Sequence, residues 1–360
     1  MLQFRLEKRP QPSRFMLYAT PLFAVLLTMV LGAVVFSLLG YNGLGAVREI
    51  FLTPLTNAYK WQDLAVKAAP LIIIAVGLSI GYRANVWNIG AEGQYIVGGL
   101  AATGVALVTH DMTGWWILPL MGVAGILGGM AWVAVPALLR TQLRVNEILT
   151  TLMLTYVSVY LLNYLVFGPW KSPTAMGQPQ TVLFSADQTL AYIIPGTIVQ
   201  AGAPVAIIVA LIAWFVMARS VFGFQVRTVG AAPHAARYGG FSAKQTIWLA
   251  LLVSGGLAGL AGMLEVSGPF GRMVPQFPTN YGFTAIIVAF LGRLHPIGIV
   301  LAGVVLAITF VGGEVAQTTI GLPNAAVGIF QAMMLFFLLA GDILVRYRFR
   351  RVGAPVRSAA

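Results

Sequence analysis

The chain has 360 residues, 59% of them hydrophobic and 9% charged. A soluble globular domain carries about 25% charged residues, so an ordinary water-facing surface is excluded. Its formal net charge of +12 sits in short segments between apolar runs rather than on a continuous basic face, which excludes a nucleic-acid interface and matches membrane topology signals. Cysteine is absent, which removes disulfides, thiolate nucleophiles and cysteine metal sites.

The apolar runs are long enough to cross a bilayer, which takes roughly 20 residues per helix. Sustained period-two alternation is absent, so a β-barrel is excluded. The predicted fold class is all-α: a polytopic membrane protein of about ten transmembrane or re-entrant helices, with both termini cytoplasmic. In chain order the segments are 15–39, 66–82, 94–109, 115–139, 147–168, 203–218, 246–267, 282–292, 297–314 and 326–345. The first follows Arg5, Lys8, Arg9 and Arg14 and outruns a signal-peptide core, so it reads as an uncleaved span. The eighth is too short to cross alone and reads as a broken or re-entrant helix buried in protein. Residues 1–14 form a cytoplasmic N-terminal segment, 15–345 a single transmembrane domain, and 346–360 a basic cytoplasmic tail suited to an anionic leaflet.

Ten crossings from a cytoplasmic N-terminus leave only Arg48, Lys60, Lys67, Lys171 and Arg272 outside, out of 22 Lys and Arg. That is a strong positive-inside bias. It predicts a bacterial plasma (inner) membrane protein.

Three stretches between or within spans carry the polar chemistry. In RANVWNIGAEGQ, at 83–94, Asn85, Asn88, Glu92 and Gln94 stand beside Gly90 and Gly93. Such groups are costly in lipid and should face protein or a watery path. The alternative is an ordinary turn capped by Asn88, with Glu92 pairing Arg83. In NEILTTLMLTYVSVYLLNY, at 146–164, Asn146 with Thr150 and Thr151 with Thr155 recur at helical spacing, followed by Tyr156 and Asn163. That stripe suits either a path for a hydroxyl-rich solute or hydrogen bonds between helices. The third is the inside connection of about 219–244. There Pro233 can start a short helix, Ala235 and Ala236 keep it slim, and Gly239 and Gly240 can end it. A slim basic helix suits docking into another protein's groove, or else rests at the lipid interface.

Other candidates are weaker. Glu265 and Glu314 fall near outer span ends and read as interfacial. Ser254–Gly255 has the look of an intramembrane serine protease, but His110, His234 and His295 fall at span ends or loops. No GxxxxGK[ST] loop occurs, so ATP binding through a P-loop is excluded, and the chain is not expected to be an enzyme. No metal or cofactor is expected.

The runs NIGAEGQ at 88–94, NEILTTLML at 146–154, VRTVGAAPHAARYGGFS at 226–242 and AFLGRLHPIGIVLAG at 289–303 resemble, in this order, the permeases of nucleoside and simple-sugar ABC importers. These permeases are related to those for branched-chain amino acids and ribose. The resemblance covers about residues 64 to 345. It implies translocation of a nucleoside or related small polar solute into the cytoplasm, along a path including Asn85, Asn88, Glu92, Gln94, Asn146, Thr150 and Tyr156. It also implies partners: a second permease subunit of different sequence, a cytoplasmic ATP-binding subunit, an extracytoplasmic substrate-binding lipoprotein, and membrane lipid. The 226–242 stretch resembles the coupling loop to the ATPase, with Arg227, Gly230, Pro233, Ala235, Ala236, Arg237, Gly239 and Gly240 as its contacts. The acidic residue heading that pattern in many importers is replaced here by His234. The alternative is a secondary transporter driven by an ion gradient, for which Glu92 is the best titrating group.

Overall fold

The computed structural model describes residues 4–8, 14–57, 59–175 and 177–351. A strand β1 (Phe4–Lys8) precedes α1 (Arg14–Leu38), α2 (Gly43–Phe51), α3 (Thr53–Thr56), α4 (Lys60–Arg83), α5 (Ala91–Val108), α6 (Ile117–Leu143) and α7 (Glu147–Phe167). Then follow α8 (Gly202–Arg219), α9 (Val221–Ala231), α10 (Pro233–Tyr238), α11 (Ala243–Glu265), α12 (Tyr281–Leu291), α13 (Pro296–Ile320), α14 (Asn324–Arg346) and β2 (Tyr347–Arg351).

A helix occupies each of the ten predicted segments. Among the described residues, seven helices are long and apolar enough to cross a membrane by length and composition. The largest boundary differences, six residues each, are at the end of α13 and the start of α4, where Lys60 Nζ donates to Asp63 Oδ2 at 2.9 Å within the first turn. Among the described residues, the strands are β1 and β2, which pair antiparallel with Leu6 opposite Phe349. The two terminal extensions, predicted as separate segments of an all-α chain, therefore meet in a short ribbon.

The chain divides into two compact units, residues 1–51 with 313–360, and residues 52–312. In the first, α1 packs along α14 and α2. Phe36 stacks on Phe330 with ring centroids 6.2 Å apart, and Phe51 meets the same ring at 5.6 Å.

In the second unit, α5, α6 and α11 pack together, with α4 against α11. The contact is backbone on backbone. A methyl added to Gly259 of α11 would overlap the Gly125 carbonyl of α6, and one added to Gly98 of α5 would overlap Gly259 itself. Without apolar solvent contrast between helices in lipid, such close approach supplies the van der Waals attraction that holds them. Gly259→Ala should therefore cost about 1–3 kcal/mol through overpacking. Gly122→Ala, on the same α6 but with nothing within 4 Å of the added methyl, should be neutral or slightly stabilising. Equal melting temperatures of the two variants in detergent would remove the role assigned to this contact.

Candidate functional site

The α4–α5 connection begins where α4 is stopped. Val86 N–H donates to Gly81 O and Asn85 N–H to Tyr82 O, with Asn85 at φ 57°. This is a left-handed helix cap, and asparagine is the residue after glycine that tolerates it best. Asn85 is thereby exposed, and its role is to turn the chain.

Asn88 is fully buried and its side chain is saturated. Its Nδ2 donates to Gln94 Oε1 (2.8 Å) and Ser254 Oγ (3.0 Å), and its Oδ1 accepts from Gln94 Nε2 (2.9 Å) and Gly90 N–H (3.1 Å). Its own carbonyl accepts from Tyr82 OH at 3.1 Å. An amide offers two donors and one carbonyl oxygen with two lone pairs, so nothing remains for a solute. The side chain thus ties α5 to α11, and α4 is held to the same residue through its backbone carbonyl. Ile80, Val86, Val133, Met217, Val226 and Leu251 belong to one buried hydrophobic cluster.

Glu92, 2% exposed, lies in the first turn of α5. Its Oε1 accepts from Asn280 N–H (2.9 Å) and its Oε2 from Gly282 N–H (2.6 Å). The carboxylate therefore sits on the positive end of α12, where free amides and the helix dipole both favour a negative charge. A methyl on Gly282 would overlap the Glu92 backbone nitrogen, so the two chains touch there. Arg83, the partner that a simple turn would give Glu92, instead donates Nε to Leu294 O at 3.1 Å. The lead-in to α12 is irregular, with a turn closed by Phe277 N–H on Val274 O, carries Pro275 and Pro278, and seats Phe277 parallel to Tyr95 at 4.7 Å. The eighth segment is accordingly a half-helix with an irregular approach, buried in protein.

The connection 219–244 forms two helices. Ser220 caps α9 by accepting from Gly223 N–H at 3.1 Å. A methyl on Gly230 would overlap the Arg83 carbonyl, so α9 rides directly on the end of α4. Gln225 Nε2 also donates to Thr246 Oγ1 at 2.9 Å, tying α9 to α11, and the exposed Arg227 donates to Met217 O. Pro233 starts α10. Its end is a Schellman cap: Phe241 N–H donates to Ala236 O, Gly240 N–H donates to Arg237 O, and Gly240 takes φ 82° after Gly239. His234, Ala235, Arg237 and Tyr238 face outward, Tyr238 at 96% exposure, while Ala236 is fully buried against the chain.

With this geometry in view, residues 61–339 match the family described as branched-chain amino acid transport system / permease component. The chain belongs to this permease family. It is 35% identical to the glucose ABC transporter permease protein TsgB13 of Haloferax volcanii, over 96% of this chain and 93% of that one. It is 28% identical to the nucleoside ABC transporter permease protein NupB of Lactococcus lactis, over 90% and 91%. To the guanosine ABC transporter permease protein NupP of Bacillus subtilis it is 29% identical, over 91% and 94%. The protein is thus a multi-pass ABC permease and a component of a transport complex.

The remaining predicted path residues of the permease lie apart from the Asn88–Glu92 junction. Asn146 is exposed and caps α7, its Oδ1 accepting from Ile148 N–H at 2.9 Å. Thr150 bonds back to its own helix through Asn146 O at 3.2 Å. Tyr156 is exposed. The face of α7 that meets α5 is instead Thr151, Thr155 and Ser158, which lie against Gly90 and Gly93. Thr151 Oγ1 there accepts from Ile89 N–H at 3.2 Å. Glu147 ties the same corner, accepting from Arg140 and from Trp87 N–H.

Sequence reasoning missed Ser254, Gly282 and Asn280 as partners of this junction, because they lie more than 160 residues from Asn88 and Glu92. It also placed Glu265 at an interface. The structure buries that carboxylate at the wall of a water-sized cavity of about 20 Å³, shared with Gln200 and Pro269. His295, in the loop after α12, is held below its usual range by partial burial and by the Arg83 guanidinium.

Glu92→Gln tests the junction. Glutamine has one acceptor oxygen for two amides, so one N–H loses its partner, at a cost of roughly 1–3 kcal/mol. The expected result is a lower melting temperature and faster hydrogen exchange at the Gly282 amide. Unchanged exchange together with a raised KM for uptake would make Glu92 a solute ligand instead.

Proposed function

We propose that this permease is a membrane-spanning subunit of an ABC importer that moves a nucleoside or simple sugar into the cytoplasm of a bacterial cell. It works across the plasma membrane and is energised by a separate ATPase. The observation that carries the reading is α10, an exposed short helix whose base, α9, rests on the end of α4 through Gly230. A push on α10 reaches α4 without passing through a flexible segment. From there it reaches α5 and α11 through Asn88, and α12 through Glu92.

Ten crossings with both termini cytoplasmic fit this arrangement. The connections that fall inside under that topology touch one another, as Arg83 with Leu294, Trp87 with Glu147, and Gly230 with Arg83. Those that fall outside also meet, as Gly114 with Asp187 and Ile198 with Gln62. A second permease chain completes the path, and an outer binding lipoprotein delivers the solute. The relatives named for glucose, nucleosides and guanosine support a solute carrying a hydroxylated ring. In this assembly Asn88, Glu92 and Gln94 position the inner ends of the helices, and His234, Ala235, Arg237 and Tyr238 meet the ATPase.

The relatives, named as ABC transporter permeases, count against the ion-gradient alternative. In vesicles containing the assembled importer, uptake of labelled guanosine or glucose should require internal ATP. Uptake driven by a proton or sodium gradient alone would overturn the assignment.

A second experiment addresses docking. Ala235→Trp should overfill the ATPase groove at about 1–3 kcal/mol, and a loss of about 2.7 kcal/mol weakens assembly roughly a hundredfold. The permease should insert and melt normally while co-purifying poorly with its ATPase. Ala236→Trp should differ, lowering the melting temperature, since that residue is packed inside the chain. Intact complexes and transport with Ala235→Trp and with Tyr238→Ala would make α10 an interfacial helix.

A further inference from the structure

The outward faces of the apolar helices are not alike. On α6 the exposed residues from Pro119 to Leu138 are all apolar, and on α8 the same holds up to Arg219. Both faces suit acyl chains. The exposed face of α7 instead carries Tyr156, Tyr160 and Tyr164, at 56%, 74% and 69% exposure, with half-buried Asn163 among them. At 3.6 residues per turn these four fall within roughly 100° of arc. Among the described residues no hydrogen-bond partner serves their hydroxyls or the Asn163 amide, whereas Thr151, Thr155 and Ser158 on the opposite face are all bonded.

Depth makes the arrangement costly in lipid. With a rise of about 1.5 Å per residue, Tyr156 and Tyr160 stand roughly 14 and 20 Å along α7. In a hydrocarbon layer of about 30 Å that is its middle, not its aromatic belt. Unbonded phenols there face a desolvation penalty that water or a polar solute removes, and Asn163 and Tyr164, roughly 24 and 26 Å along, continue the stripe toward the far end of α7.

We propose that Tyr156, Tyr160, Asn163 and Tyr164 line the water-filled translocation path and form its contact surface for a hydroxylated ring solute. The phenol rings offer flat faces to a nucleobase or to the C–H face of a sugar, while the hydroxyls and the amide exchange hydrogen bonds with ring hydroxyls. Repetition along α7 gives a succession of similar weak contacts, so a solute can advance without being trapped. The opposite face of α7 is fixed to Gly90 and Gly93 beside the Asn88–Glu92 junction, so movement there would shift this surface. The inference rests on the importer reading and assigns that importer its solute contacts.

The chain has no cysteine, which makes single-cysteine accessibility a clean test. In the full importer reconstituted in vesicles, Tyr160→Cys and Asn163→Cys are treated with a charged, membrane-impermeant methanethiosulfonate reagent. Leu127→Cys on the apolar face of α6 is the reference. Modification, read on this chain by mass, should be at least tenfold faster at 160 and 163 than at 127, and slowed by millimolar guanosine or glucose. Rates equal to the reference would place the stripe against lipid and overturn the proposal. Unreactive cysteines together with loss of the second permease chain from Tyr160→Phe would make it a subunit contact, which also overturns it. Accessibility is read without transport, so ATP-independent uptake by the unsubstituted importer would count against the importer reading alone.

Discussion

A carboxylate on two backbone amides allows this chain to start a helix inside its own interior. The amides at the start of a half-helix have no water to bond when the half-helix is buried. Glu92 supplies acceptors to Asn280 and Gly282, and its charge is favoured by the dipole of α12. Everything nearby follows from that arrangement. Position 282 has room only for glycine because α5 touches it there, and the residues before it are irregular because Pro275 and Pro278 disfavour a helix. Tyr95 and Phe277 fill the space beside the irregular segment.

The existence of the helices was legible because composition and length dictate them in a bilayer. Their interruptions were legible where glycine, proline and asparagine cluster, as at 83–94 and 230–240. What the sequence could not give was pairing across long separations. Asn88 and Glu92 stood out as polar groups beside glycines, but their partners on α11 and before α12 have no local signal. Thus a motif that read equally as a path or as a turn is a junction whose bonds are internal. Ala236 shows the converse difficulty. A small residue suits a partner's groove and the chain's own core equally, and only the register of α10, set by Pro233 and the Gly240 cap, decides that it packs inward. Glu265 read as interfacial because it ends an apolar run, yet the helix continues past it through a π-turn at Val266–Phe270 and leaves it buried.

Between the exposed helix and the buried junction there is little that can bend. Gly230 places α9 on the carbonyl that ends α4, Gln225 holds α9 to α11, and Asn88 fastens α4, α5 and α11 together. The links are backbone packing without intervening side chains at Gly230, a part-buried hydrogen bond at Gln225, and fully buried hydrogen bonds at Asn88. Such contacts have a single well-defined arrangement, so displacement at one end is transmitted as rigid movement rather than absorbed in rotamers.

The other end of the same unit is built differently. The connection 168–201 is held to the end of α11 by separate backbone bonds, Thr181 to Met273, Phe184 to Gly271 and Leu190 to Ser267. Pro269 of the π-turn beside them lines the small cavity at Glu265. Single hydrogen bonds of this kind contribute about 1 kcal/mol each and can be exchanged for water, whereas overlapping glycine contacts cannot be loosened without separating whole helices. On the importer reading, this asymmetry assigns rigid transmission to the end that meets the ATPase and rearrangement to the end that receives the solute.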